Sequence, residues 1–383
     1  MSKNLIPFDE TNSTNPYLKN RKEGLLIGPE GKELSAEYIW SKKGQERNNL
    51  VEWVFQYYRN NGFPKLQEDE KDLLDTYKKI CEKDIDGMIN ADGQVVNSNS
   101  TGSDILKHFM GELYYSTRGE GKNSISCIEA FNNDDKFRAV LRNRMGYNTS
   151  KEDGTVRPYI FSISDAMIIQ GMRSSNIGFS TSTFKIMAAK YVNKKYAPNG
   201  GSSIDFSSGW GARCVASGSL GMKYIGFDPL TADNVNSMMK FFNIEGFVIK
   251  GCSEEKENYK NIENESIDIA FSSPPYFVLE KYSSDLTQCY NKYNTYPEWL
   301  SEYWNNTVSN CFTTLKKNAK FILCMVDKVG KHEIAKDMTD ICAKYMQPVG
   351  IIPIKTSKGH LSGKKESGLV TKTTEAFYIF EKV

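Results

Sequence analysis

The chain has 383 residues, room for two domains or for one large domain with an extension. Hydrophobic residues make up 39% and charged residues 25%, an ordinary globular balance able to bury a core. The formal net charge is only +2, so a nucleic-acid partner must meet a local basic patch and not a uniformly basic protein.

Residues 1–45 are polar and turn-rich, with Asn-Ser-Thr-Asn-Pro followed by Gly-Pro-Glu-Gly-Lys, and are expected to form an irregular arm. From Asn48 to Arg59 the apolar residues Leu50, Val51, Val54, Phe55 and Tyr58 recur at helical spacing, and Asn61-Gly62-Phe63-Pro64 ends that helix. A second helix covers about 68–83, with Leu73, Leu74, Tyr77 and Ile80 on one face. Residues 84–103 read as loop, and 104–160 as mixed structure. Within the mixed part lie Arg118 and Lys122, then Lys136, Arg138, Arg142 and Arg144 within nine residues. A charge cluster of this kind is commonly a solvated helix face. As a functional feature it would contact phosphates.

From about residue 160 strands and helices alternate. Helices are expected over 184–196, 212–219, 231–243, 299–316 and 333–345. Strands are expected over 204–206, 224–228, 247–249, 267–271, 320–326, 349–354 and 376–381, the last two antiparallel to each other at one edge. The repeated β-α order predicts a doubly wound, mostly parallel sheet over 166–383, behind a mainly helical N-terminal domain over 1–165.

No apolar run approaches the length of a bilayer, Phe321 to Val326 being one of the longest, and the first residues carry no signal-peptide core. The eight cysteines are scattered with no CxxC pair and read as reduced, buried thiols of a cytoplasmic protein. His108, His332 and His360 lie far apart, which argues against a zinc site or a histidine-based triad. No metal is expected.

Two stretches carry chemistry. Asp205-Phe206-Ser207-Ser208-Gly209-Trp210-Gly211 follows a strand and opens a helix. Its glycines permit a tight turn and close approach to a ligand, and N–H groups at the helix start favour an anion. Asp228, 23 residues after Asp205 at the end of the next strand, is placed to accept bonds from ribose hydroxyls; otherwise Asp228-Pro229 is an ordinary turn. The third glycine of a dinucleotide-binding loop is absent, its position being Cys214. A ligand with a ribose and a charged amino-acid tail, such as S-adenosylmethionine, fits better. The second stretch is Phe271-Ser272-Ser273-Pro274-Pro275-Tyr276-Phe277, at the end of a buried strand. Two prolines remove two donors and stiffen the chain, leaving a rigid tip able to grip a planar group that bears an NH2.

Together these residues resemble the ordered motifs of the amino-group DNA methyltransferases, over roughly residues 175–383. The resemblance implies a Rossmann-like class I methyltransferase fold, S-adenosylmethionine as cofactor and double-stranded DNA as partner. Asp205, Phe206, Ser207, Gly209 and Gly211 would wrap the methionine end of the cofactor, with Ser272 beside them. Asp228 would bind the ribose, and Cys252 and Ser253 would border the adenine. Phe184 would pack on the cofactor or, equally, in the core. Ser273 and Pro274, in the rigid frame set by Pro275, would accept both hydrogens of an exocyclic amino group, with Tyr276 and Phe277 stacking the flipped base. Serine before Pro-Pro-Tyr leans toward N4 of cytosine, with N6 of adenine next. An RNA or protein-glutamine target and a non-catalytic nucleic-acid-binding subunit are the other readings. None of the 12 prolines is followed by cysteine, which excludes the C5-cytosine branch. Only about 45 residues separate Asp228 from Ser273, too few for a recognition domain. Target recognition therefore falls to residues 1–165, with Arg118, Lys122, Arg138, Arg142 and Arg144 as candidate contacts, while Lys358 in the basic stretch 355–365 would line the DNA groove. The reading places the chain in a bacterial cytoplasm, cellular or phage-borne, admits a restriction partner, and leaves the oligomeric state open.

Overall fold

The computed structural model describes residues 18–19, 24–64, 69–96, 99–117, 125–150, 157–174, 183–278, 285–355 and 375–383. They divide into two compact units: residues 1–67 with 111–181, and residues 68–110 with 182–383. The division is not the single cut at 165/166 expected from the sequence. The chain crosses at Gly111, where the helix Ser103–Ser116 is interrupted by a backbone at φ 51°.

The first unit is mainly helical. The helix Gln45–Asn61 forms where the periodicity places it, buries Leu50, Val51, Val54, Phe55 and Tyr58, and stops at Gly62, whose φ of 87° no side chain favours. Phe55, Phe131 and Phe137 pack as an aromatic core. The Arg59 guanidinium lies 4.6 to 5.1 Å from their ring centres. The stretch 1–45, expected as an irregular arm, holds the helix Ala36–Ser41, capped by the Ser35 side chain. Helices Cys127–Asn132, Asp134–Arg144 and Asp165–Ser174 also belong to this unit, with a three-stranded sheet of Leu18–Lys19, Arg157–Phe161 and Met145–Ser150.

The second unit is a Rossmann-like, doubly wound sheet of eight strands. In chain order they are β1 (Val95–Val96), β2 (Ser202–Asp205), β3 (Lys223–Phe227), β4 (Gly246–Ile249), β5 (Ile267–Ser272), β6 (Leu315–Val326), β7 (Gln347–Lys355) and β8 (Glu375–Glu381). Their order across the sheet is β1-β7-β8-β6-β5-β2-β3-β4. Strand β8 runs antiparallel to both neighbours, and every other pair is parallel. The central strands are buried where they are apolar: β5 throughout except at Asp268, and β6 over its run Phe321 to Met325. From β2 the chain winds outward to β4 and returns to β5 on the other side of β2. The crevice at the carboxyl ends of β2 and β5 is therefore the point where a doubly wound sheet binds its ligand.

Three details depart from the sequence reading. The stretch 84–103 holds a strand, β1, which pairs with the end of β7. Strand β6 begins at Leu315 and not at residue 320, because the register jumps between Ile267 and Ile269 and Asn318 takes a φ of 65° to absorb it. The helix expected over 299–316 opens with a π-helical turn, Trp299–Trp304, before the regular helix Asn305–Thr314.

Segment 68–110 belongs with the sheet because its side chains pack there. Tyr77 stacks on Phe242 at 4.5 Å, and the Phe109 carbonyl accepts from Asn234 at 2.8 Å. Lys190, only 4% exposed, donates to the carbonyls of Ile80, Cys81 and Lys83 at 2.6, 2.9 and 2.8 Å, closing the C-terminal end of helix Glu70–Glu82. Hydrogen bonds from a charged group contribute about 1.5–3 kcal/mol each, with overlap among the three. Lys190→Met is expected to cost about 3 kcal/mol in urea unfolding and to speed amide exchange in Glu70–Glu82. Unchanged exchange there would show that the lysine does not anchor the helix.

Candidate functional site

The site is built on the carboxyl ends of β2, β3 and β5. Asp205 closes β2 and is 1% exposed. Its Oδ1 accepts from the Ser207 N–H at 3.1 Å, the Ser272 hydroxyl at 2.7 Å and Arg213 Nη2 at 3.2 Å. Its Oδ2 accepts from Arg213 Nε at 2.8 Å and the Tyr224 hydroxyl at 2.7 Å. Five donors fill a carboxylate that offers about four lone pairs. The expectation that Asp205 and Ser272 touch the cofactor is thus corrected: both face inward, and their bond ties the glycine loop to the strand that carries the Ser-Pro-Pro-Tyr tip. Arg213 was not singled out from the sequence. It is buried, its guanidinium sits 5.1 Å from the Phe184 ring centre, and it also reaches the Ser207 carbonyl. Asp205 keeps it charged against the burial that opposes its charge.

The loop itself is also occupied from within. The N–H groups of Ser208, Gly209 and Gly211 donate to the Phe227 carbonyl, Asp228 Oδ2 and the Ser208 carbonyl at 2.9, 3.0 and 3.0 Å. With Ser207 on Asp205, these loop N–H groups are occupied within the protein, and the helix itself opens after them, at Ala212. Gly209 takes a φ of 51° with space around its α-carbon, as a ligand-facing turn requires. Gly211 serves packing, since a β-carbon there would lie 2.5 Å from Met238. Phe206 is core, stacked on Phe321 at 5.2 Å beside Trp304, and so does not reach a ligand.

Asp228 is half-buried at the end of β3. Its Oδ1 accepts from the N–H groups of Leu230 and Thr231 at 2.9 and 2.8 Å, which exhausts that oxygen, while among the described residues the hydrogen bond to Oδ2 comes from the Gly209 N–H at 3.0 Å. One lone pair is left for a ligand hydroxyl. Burial raises its carboxyl above the usual range, partly offset by the N–H groups it accepts. Beyond β4, Cys252 is half-buried, whereas Ser253 is buried and bonded to Thr307 at 3.1 Å, so Ser253 braces the loop and does not border a ligand. Cys252, Glu254 and Glu255 bring possible metal ligands within 4.8 Å of one another. Lys292 already bonds both carboxylates, at 2.8 and 2.9 Å, and burial pushes the Cys252 thiol up to about 12. That group is an ion pair, not a cation site.

The tip follows β5. Ser273 is half-exposed, and its hydroxyl lies 2.9 Å from that of Tyr276. Tyr276 is only 6% exposed and donates to the Cys324 carbonyl on β6 at 2.9 Å. Its ring is folded back and pinned, not projecting beyond the tip. Phe277 takes a φ of 54° and packs among Tyr296, Trp299 and His332 at 5.4 to 6.1 Å, which removes it as a stacking platform for a base. His332 stacks on Tyr296 at 3.8 Å, a contact no motif announced. Phe184 is half-buried against Phe271 and Phe377, its core role.

Of the cationic candidates, Arg138, Arg142 and Arg144 are among the described residues. Arg138 is paired with Glu52 at 3.0 Å and lies over Phe55 at 3.6 Å, and Arg144 is buried over Phe161 at 4.2 Å. Both serve the first unit's interior, while Arg142 is exposed. Arg118, Lys122 and Lys358 lie outside the described residues. All eight cysteines are free thiols; Cys81 is exposed and Cys252 half-buried, the other six buried. Among the described residues no helix is long and apolar enough to cross a membrane.

No family model and no curated protein matches this chain. Solved structures similar to it include 1,6-didemethyltoxoflavin-N1-methyltransferase of Burkholderia thailandensis, at 8% identity and TM-score 0.37 over 51% of this chain and 77% of that one. Geranyl diphosphate C-methyltransferase of Streptomyces coelicolor A3(2) is similar at 10% identity and TM-score 0.35, over 51% and 76%. TrmN of Thermus thermophilus is similar at 9% and 0.34, over 52% and 49%. At this distance the assignment of function rests on the chain's own residues.

The buried Asp205–Arg213 pair gives a direct test of the inward role. Asp205→Asn leaves a buried guanidinium short of its countercharge and is expected to cost about 3–5 kcal/mol in denaturant unfolding. A loss below 1 kcal/mol, within the range of an exposed pair, would contradict it.

Proposed function

We propose that this chain transfers a methyl group from S-adenosylmethionine to the exocyclic amino group of a base in DNA, N4 of cytosine ahead of N6 of adenine. The observation that carries the reading is the 2.7 Å bond between Ser272 and Asp205. It locks the end of the ligand-binding strand β2 to the end of β5, so that a cofactor over one strand meets a substrate at the next.

The cofactor is S-adenosylmethionine, and its sulfonium supplies the methyl group when bound. Asp228 holds one ribose hydroxyl with the lone pair left on Oδ2. Gly209 lets the chain pass close to the ligand. The half-exposed Ser207 and Cys252 flank these positions.

An aromatic NH2 is a weak nucleophile because its lone pair is delocalised into the ring. Ser273 Oγ and the Pro274 carbonyl accept from its two hydrogens, which favours a pyramidal nitrogen and stabilises the positive charge that grows as the C–N bond forms. The two prolines hold these acceptors in place before the substrate arrives. The surplus proton leaves to water after transfer. A base inside a duplex reaches this tip only by flipping out of the stack. The DNA substrate itself follows from the resemblance of the two motifs. The exposed Arg142 is a candidate phosphate contact, together with Arg118, Lys122 and Lys358.

Expression in a host lacking DNA methylation, followed by nucleoside mass spectrometry, is expected to give N4-methylcytosine, or N6-methyladenine in its place. Ser273→Ala should lower the rate about 100-fold or more with cofactor affinity unchanged. Asp228→Ala should weaken cofactor binding about tenfold or more by calorimetry. A wild-type chain that binds no S-adenosylmethionine, or binds it and methylates neither base, contradicts the reading.

A further inference from the structure

Tyr276 is bonded in a way that stacking alone does not explain. Its hydroxyl is 2.9 Å from the Cys324 carbonyl and 2.9 Å from the Ser273 hydroxyl. A carbonyl only accepts, and a phenol carries one proton. That proton goes to Cys324. The bond between the two hydroxyls must then be filled by the proton of Ser273.

The consequence falls on Ser273. Its single proton is engaged with Tyr276, so toward the crevice its Oγ offers lone pairs only. The neighbouring groups hold this arrangement. Tyr276 is 6% exposed and Cys324 fully buried in the central strand β6. Pro274 and Pro275 stiffen the connection, and Phe277 anchors its far end in the aromatic cluster.

We propose that Tyr276 is a positioning residue that fixes the hydrogen-bond polarity of Ser273, making the tip an acceptor that admits an amino group and rejects a keto oxygen. The inference rests on the methyl-transfer reading above. A keto base would set lone pairs against lone pairs. An amino base meets the polarity already in place, with no hydroxyl to reorient during the reaction.

The test is a double-mutant cycle on the full chain, with unmethylated genomic DNA and labelled S-adenosylmethionine under single-turnover conditions. Tyr276→Phe is expected to slow transfer at least tenfold, with the cofactor's Kd and the melting temperature close to wild type. In the Ser273→Ala background the same change is expected to add less than a twofold effect, because the group it acts through is gone. Should Tyr276→Phe not fold, 4-fluorophenylalanine takes its place, filling the space without donating. Losses that multiply across the two backgrounds, or a Tyr276→Phe chain as fast as wild type, overturn the inference and leave the methyl-transfer reading standing. A wild-type chain that methylates no DNA overturns both.

Discussion

The Asp205 carboxylate is the constraint on which the second unit's chemistry depends. It lies where the winding of the sheet reverses, and it accepts from the glycine loop, from helix Ala212–Gly218 through Arg213, from β3 through Tyr224, and from β5 through Ser272. A buried carboxylate is costly unless every lone pair is filled. Here the filling groups come from four different elements, so satisfying the charge also fixes their relative positions. In the proposed reaction the atoms that meet the ligands are set one step outward: the remaining lone pair of Asp228, the turn at Gly209, and the oxygens of the Ser-Pro-Pro tip. An inner layer that holds geometry is what such an outer layer requires.

The same logic shapes the tip. Two prolines and a tyrosine tied to a strand carbonyl leave it little freedom, and the aromatic cluster around Phe277, Tyr296, Trp299 and His332 supports its far side. Rigidity of this kind suits a reaction whose barrier is lowered by alignment and by acceptors already in position.

Much of this was legible in the sequence, for identifiable reasons. The alternation of apolar runs with helical periodicity over 184–381 follows directly from a sheet covered on both faces, and the glycine loop, Asp228 and the Ser-Pro-Pro-Tyr stretch announce themselves by residue type and spacing. What was illegible depends on backbone acceptors and on side-chain direction. Nothing in the sequence says that Lys190 reaches three carbonyls of another helix, so segment 68–110 could not be assigned to the sheet unit. Nor does residue type tell an aspartate whose lone pairs are all filled from within from one with a lone pair to spare. Asp205 and Asp228 look alike in sequence and differ only in how many donors surround them. The basic run that includes Arg138 and Arg144 misled for a related reason: both guanidinium groups stack on phenylalanines inside the first unit, a use of arginine that charge spacing does not reveal.

The most direct test of the account is a crystal structure of the chain with S-adenosylhomocysteine and cytidine bound. A ribose hydroxyl of the cofactor product is expected on Asp228 Oδ2, and the cytosine amino nitrogen within hydrogen-bond distance of Ser273 Oγ and the Pro274 carbonyl, with Asp205 touching neither ligand. A cofactor whose ribose lies away from Asp228, or a base that turns its keto oxygen to Ser273, would contradict it.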